Sequence, residues 1–572
     1  MEHLFFIIFF SIFYRGIILS FVKAEMQLNG VGKVHVLVNE GLIEGAEVSN
    51  DYGGRFYSFK GVPYAEPPLG DLRFKAPQPP KPWNGVRDAQ ELQSMCIQRN
   101  FFTLEILGSE DCLYLNVYTP DMNPTKPLPV IFWIHGGGFI VGSGNDDFYG
   151  PEFLAKEGVI LVTINYRLGA LGFLCLDSED IPGNAGMKDQ VAALRWVRKN
   201  IEKFGGDPEN ITIAGESAGG ASVGFHLLSP MSKGLFKRAI AQSGVSTCWW
   251  ANIYQARHRA VLLAKTLNFY SEDNAELYEF FKSLPARDLL DTILPITYNE
   301  AFKKSFQLFF GVVSETQFSD KERFFYGDVF ESLDTNVHNN AEIMVGYTED
   351  EGYLDSNLIN NLQEMFDQAN KYLEFYVPPP IAINNPLKDQ VEVGKIIKEF
   401  YFKSQNISTN DLNQLIKFSS SNIFVFWIME WAKTYAKYDN NKVYLYKFTA
   451  KTERNIASRM FGLDKIIGNK EIASHLDDVP YLFPVKAMNP KMNTSSDVYK
   501  LTESIVKLWT NFAKFGNPTP DGRLIHWEPY TIDKQDYLEI GNEFLERNKP
   551  EQEEIELLES VFEKYSPKHL GL

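Results

Sequence analysis

Gly215-Glu216-Ser217-Ala218-Gly219 places a serine between two glycines, directly after a β-branched run and directly before a run of small apolar residues. In the order strand, sharp turn, helix, a G-x-S-x-G motif forms a nucleophile elbow. The turn strains the serine backbone, and the flanking glycines let neighbouring elements approach it. Ser217 Oγ would then stand above the sheet edge at a helix N-terminus, where backbone N–H groups can receive a developing oxyanion. A second motif, His135-Gly136-Gly137-Gly138-Phe139, follows another apolar run. Three successive glycines let amides turn inward unobstructed, as in the second half of an ester hydrolase oxyanion hole. The chemistry these types and spacings suit is acyl transfer through an activated serine.

The elements that must hold these motifs are legible around them. Pro129–His135 and Val159–Tyr166 are continuous apolar runs that predict strands buried on both faces, as in a parallel sheet. Met187, Val191, Leu194, Val197, Ile201 and Phe204 recur every three or four residues and predict an amphipathic helix over Ala185–Phe204, ended by Gly205-Gly206. Ile211–Ala214 predicts the next strand and Ala218–Leu228 the next helix. Farther along, helices are expected at Arg257–Leu267, Asn361–Tyr376, Leu387–Phe402, Val498–Phe515 and Glu551–Glu563, and a strand at Lys442–Phe448. Alternation of this kind indicates an α/β class. With no internal repeat and no low-complexity linker, one catalytic domain with helical insertions is expected over residues 25–572.

Composition narrows the function. The chain has 572 residues and a net charge of −17, without any basic run, which excludes a nucleic-acid binder. Apolar residues at 44% and charged residues at 23% describe an ordinary globular chain with a large core. The four cysteines form no C-x-x-C, and neither HExxH nor a P-loop is present, so no metal, nucleotide or other cofactor is called for. Leu4–Tyr14 is an apolar run that Arg15 separates from Gly16–Val22. As a membrane span it would place Arg15 in mid-bilayer, at about 2.5–3.5 kcal/mol. As a signal peptide it ends at the plausible cleavage site Val22-Lys23-Ala24. We therefore expect residues 1–24 to be a cleaved signal and the protein to be secreted, with a retained anchor as the alternative and no stable span elsewhere. Sequons at Asn210, Asn406 and Asn493 fit that compartment, as does a short loop closed by Cys96 and Cys112.

Longer motifs then carry a resemblance. Gly61-Val62-Pro63-Tyr64-Ala65, the stretch from Glu110 to Tyr118 (EDCLYLNVY), HGGGF, Asn165-Tyr166-Arg167-Leu168-Gly169, and the run from Phe204 through Gly219 resemble the type-B carboxylesterase/cholinesterase group of α/β-hydrolases, with insect-type esterases the nearest branch. The resemblance spans residues from about 30 to about 530. It implies an α/β-hydrolase fold, a large mixed, mostly parallel central sheet flanked by helices. It also implies a chain order of serine, acid, histidine. That order leaves His258, His338, His475 and His526. His475, in Ser474-His475-Leu476-Asp477-Asp478-Val479-Pro480-Tyr481, resembles the family's catalytic loop, although Ile472 stands where the family usually has glycine. Glu351, within the segment Val345–Gly352, resembles the triad acid, with Glu349 and Asp350 as neighbours that could be mistaken for it. The same resemblance implies oxyanion donors at the amides of Gly137, Gly138 and Ala218, a supporting hydroxyl at Ser243, and an acyl-pocket wall at Trp250. It implies a disulfide between Cys96 and Cys112, buried thiols at Cys175 and Cys248, and buried ion pairs Arg73–Glu110 and Arg167–Asp189.

The resulting expectation is a serine carboxylic ester hydrolase forming an acyl-enzyme with small to medium apolar, xenobiotic or odorant esters. Its partner is a small-molecule ester; charge and spacing leave the oligomeric state open. A choline ester hydrolase is disfavoured because residues 97–111 hold Phe101 and Phe102 but no Trp to bind an ammonium. A juvenile hormone esterase is the alternative, although that branch typically carries Gln where Glu216 stands. A non-catalytic adhesion homologue is the remote one, since such members usually lose a triad residue.

Overall fold

In the computed structural model, residues 32–100, 103–290, 308–335, 341–403, 405–437 and 442–570 are described. The expected signal segment, His338 and the Phe101-Phe102 pair lie outside them.

The apolar runs on either side of the motifs become the middle of a sheet. Leu128–Ile134 and Ile160–Ile164 are parallel neighbours, and nearly every residue in them is buried. Alternate side chains of the first strand enter two separate cores: Val130, Phe132 and Ile134 join one, Ile131 and Trp133 the other. The period of two therefore assigns each residue to one face, and both faces are covered. Seven successive neighbours pair in parallel: Ile160–Ile164, Leu128–Ile134, Gly206–Glu216, Arg238–Gln242, Glu342–Thr348, Val443–Phe448 and Asp536–Ile540. Antiparallel strands extend both edges, and Val86–Asp88 adds in parallel to Gly41–Ser49, giving a sheet of 13 strands among the described residues. This is the mixed, mostly parallel sheet of an α/β-hydrolase.

The helix Ala185–Asn200 buries Met187, Val191, Leu194 and Val197. It tightens into a 3₁₀ turn, Ile201–Phe204, before Gly205 ends it at φ 81°. The following strand is longer than its apolar centre suggested. It begins at Gly206, which pairs with Leu128, and the polar residues that follow form an irregularity where the register shifts before pairing resumes at Ile211. The helix expected to run to Tyr376 instead spans Ser356–Lys371 and is followed by a 3₁₀ turn, Leu373–Tyr376. A long helical run that the periodicity did not reveal, Leu412–Tyr435, contains a π-helical turn at Ser421–Val425.

Cys96 and Cys112 form a disulfide, and Cys175 and Cys248 are buried free thiols. Arg73 makes a two-pronged pair with Glu110 at 2.8 and 2.5 Å. Arg167 does the same with the fully buried Asp189 at 2.7 and 2.6 Å. No helix among the described residues is long and apolar enough to cross a membrane.

Candidate active site

The strand Gly206–Glu216 delivers the chain to Ser217, and the helix Ala218–Leu228 leaves it. Ser217 takes φ 58° and ψ −122°, a strained backbone for a residue with a Cβ. Its N–H donates to Gln242 O at 2.8 Å, which ties the elbow to the adjacent strand. The glycines are required by contact. A Cβ on Gly219 would lie 2.0 Å from Ile134 O, and one on Gly215 would lie 2.5 Å from the Gly219 carbonyl carbon.

The HGGG segment runs against this elbow: a Cβ on Gly136 would meet Glu216 O at 2.7 Å and Ser217 Cβ at 3.0 Å. Gly137 and Gly138 adopt φ 100° and 60°, the left-handed region that glycine enters freely. Gly138 faces Leu308, whose Cδ2 would be 3.0 Å from a Cβ there. Ala218 opens the elbow helix beside them. Of the HGGG glycines, Gly136 is the one whose position a Cβ would carry onto Ser217.

His475 and Glu351 arrive from distant segments. Glu351 begins a turn at the end of strand Glu342–Thr348 and is completely buried. Its Oε1 accepts from Ser243 Oγ at 2.5 Å and from the Thr348 N–H at 2.8 Å. Its Oε2 lies 2.5 Å from His475 Nδ1. The two loops are joined by their backbones, since Asp350 N–H donates to Ala473 O at 2.8 Å. Asp477 shapes the histidine loop by accepting from the amides of Ile456, Ala457 and Ser474. Neither alternative acid faces the imidazole. Glu349 pairs with Lys451, and the Asp350 side chain accepts from the Ala473 N–H. Of the other histidines, His258 is exposed and His526 pairs with Glu528 at the surface. His226 is buried between Ser232 and Gln190.

The imidazole's other nitrogen shows what the sequence reading missed. His475 Nε2 lies 3.0 Å from Glu216 Oε1, so a carboxylate faces each ring nitrogen. Burial pushes the Glu216 carboxyl up to about 8, against the pull of the His475 imidazole. Burial would lower His475, but Glu216 and Glu351 outweigh it and hold the imidazole up at about 9. Behind them burial raises Asp478 to about 6, offset in part by hydrogen bonds from Tyr446 and Gln242. Glu216 adjoins the motif serine, so its position was the available signal.

Trp250 is buried, with its ring 5.7 Å from that of Phe424. Asn406 and Asn493 are exposed, whereas Asn210 is half-buried and its Oδ1 accepts from Arg238 at 2.5 Å.

This geometry has relatives. The carboxylesterase family profile matches residues 32–558. The chain belongs to the carboxylesterase family. It is 34% identical to a juvenile hormone esterase of Tribolium castaneum, over 85% of this chain and 84% of that one. It is 33% identical to esterase FE4 of Myzus persicae, over 91% and 92%. Among solved structures, the juvenile hormone esterase of Manduca sexta with OTFP covalently attached superposes with a TM-score of 0.81 at 28% identity, covering 93% of this chain and 100% of that one. This carboxylesterase is accordingly a carboxylic ester hydrolase.

Proposed function

We propose that this carboxylesterase works through Ser217, His475 and Glu351 by way of an acyl-enzyme. The observation that carries the reading is the position of His475: Nδ1 is held by Glu351, and Nε2 is turned to the residue that adjoins Ser217. In the first step His475 Nε2 takes the Ser217 proton while Oγ bonds to the ester carbonyl carbon. The amides of Gly137, Gly138 and Ala218 receive the oxyanion. The imidazolium, stabilised by Glu351, then gives its proton to the leaving alcohol as the ester C–O bond breaks. Water, deprotonated by the same nitrogen, attacks the acyl-enzyme and returns Ser217. Ser243 keeps the Glu351 carboxylate in place, and Trp250 walls the acyl side.

The substrates we assign are small to medium apolar esters of xenobiotic or odorant type. Juvenile hormone ester hydrolysis is the second reading, favoured by the juvenile hormone esterases among the relatives and opposed by Glu216. We further assign residues 1–24 to a cleaved signal, residues 25–572 to one secreted catalytic domain, and glycans to the exposed Asn406 and Asn493 before the half-buried Asn210. The disulfide supports an oxidising compartment.

The test is hydrolysis of p-nitrophenyl esters from acetate to decanoate by the wild type and by Ser217→Ala. Turnover lost in the variant, together with organophosphate labelling of the wild type only, supports the mechanism. A folded wild type with neither turnover nor labelling would favour the non-catalytic reading.

A further inference from the structure

A π-turn inside an α-helix is uncommon, because the extra residue breaks the regular hydrogen-bond ladder. In the Leu412–Tyr435 run the carbonyls at such a turn are taken up by tryptophans. Asn422 O accepts from Trp249 Nε1 at 3.1 Å and from Trp427 Nε1 at 2.8 Å. Ile423 O accepts from Trp250 Nε1 at 3.0 Å. Trp249 and Trp250 belong to the segment that leaves strand Arg238–Gln242 just beyond Ser243.

The residue carried at the turn is Phe424, which is fully buried. Its ring lies against that of His475, with centroids 4.6 Å apart and planes inclined by 32°. The same helical run grips the acid. Gly352, next to Glu351, donates its N–H to Ser420 Oγ at 2.9 Å, and a Cβ there would meet Ile416 O at 2.4 Å. One helical run therefore touches both the turn that holds Glu351 and the ring of His475. Phe424 stands within the π-turn itself, where the 3.6-residue period that fixes side-chain direction along a helix is interrupted.

We propose that the π-turn Ser421–Val425, clamped by the indole N–H groups of Trp249 and Trp250, is a positioning element for the His475 imidazole. In this role Phe424 and Trp250 act through His475, and for Trp250 it is a task beyond forming a pocket wall. The inference rests on His475 being the catalytic base.

The experiment compares the purified full chain with Trp250→Phe, which keeps an aromatic ring but loses the N–H, and with Phe424→Leu. Each is assayed for kcat and KM on p-nitrophenyl acetate, butyrate and hexanoate, alongside thermal unfolding. Misplacing a reacting group by a fraction of an ångström to an ångström costs up to about 100-fold in rate. We therefore expect kcat to fall about 10-fold by the same factor on all three esters, with KM close to wild type and the chain-length order unchanged. A kcat close to wild type in both variants, or a loss confined to one chain length, would overturn the proposal and leave these residues as pocket wall. If Trp250→Phe does not fold, Trp249→Phe removes the other clamp and carries the same expectation. His475→Ala is run in parallel: if it keeps turnover, the assignment of the base fails, whereas an inactive His475→Ala beside unaffected clamp variants rejects only the positioning role.

Discussion

Replacing Glu216 with Gln removes one charge beside the imidazole while keeping the shape of the side chain. In the wild type, Glu216 Oε1 is 3.0 Å from His475 Nε2, in a site closed to solvent. Two unit charges at that separation attract by about 5 kcal/mol at an effective dielectric near 20, an upper bound of about 4 pK units. Burial of the carboxylate works against its ionisation and offsets part of this, so a net shift of about 1–3 units is expected. The sign follows from the charge. Glu216 stabilises the protonated imidazole, so the wild-type ring keeps its proton to higher pH, up at about 9. Without that carboxylate the ring becomes neutral at lower pH, and in the proposed mechanism a neutral Nε2 is what accepts the Ser217 proton. The acid limb of kcat/KM for p-nitrophenyl acetate, followed at the isosbestic wavelength of the product, should move down by at least about one unit. The high-pH plateau should stay within a few-fold, because Ser217 and Glu351 are untouched. A limb that stays in place or moves up would refute the reasoning.

Other expectations concern the frame. Cys96→Ser releases a loop with a sequence separation of 16, and should cost about 3 kcal/mol in urea unfolding. Arg167→Met leaves Asp189 buried without its partner and should cost about 3–5 kcal/mol, read as a lower denaturation midpoint. Gly219→Ala forces a Cβ to 2.0 Å from Ile134 O. It should destabilise by about 1–3 kcal/mol or more and slow organophosphate labelling of Ser217, because the elbow must shift to make room.

The elbow and the HGGG turn were legible because their requirements are local. A strand that reverses into a helix needs small residues at fixed offsets, and Gly215, Gly219, Gly137 and Gly138 announce them without help from the rest of the chain. The buried parallel strands were legible for a similar reason, as continuous β-branched runs. His475 and Glu351 were reached through family resemblance, since one histidine or one acid in a long chain has no local signature of its task. The helical run Leu412–Tyr435 escaped notice because it is buried on most sides and breaks its own period at the π-turn.

By itself, then, the sequence determined the class of fold, the strained elbow at Ser217 and the glycine turn beside it, all through steric demands within a few residues. Only the tertiary structure decided what surrounds the imidazole. Glu216, Glu351 and Phe424 reach it from three separate segments, and their effect is set by distance and by exclusion of water. Charge interactions depend on separation in space and on the dielectric between groups, and neither is written along the chain.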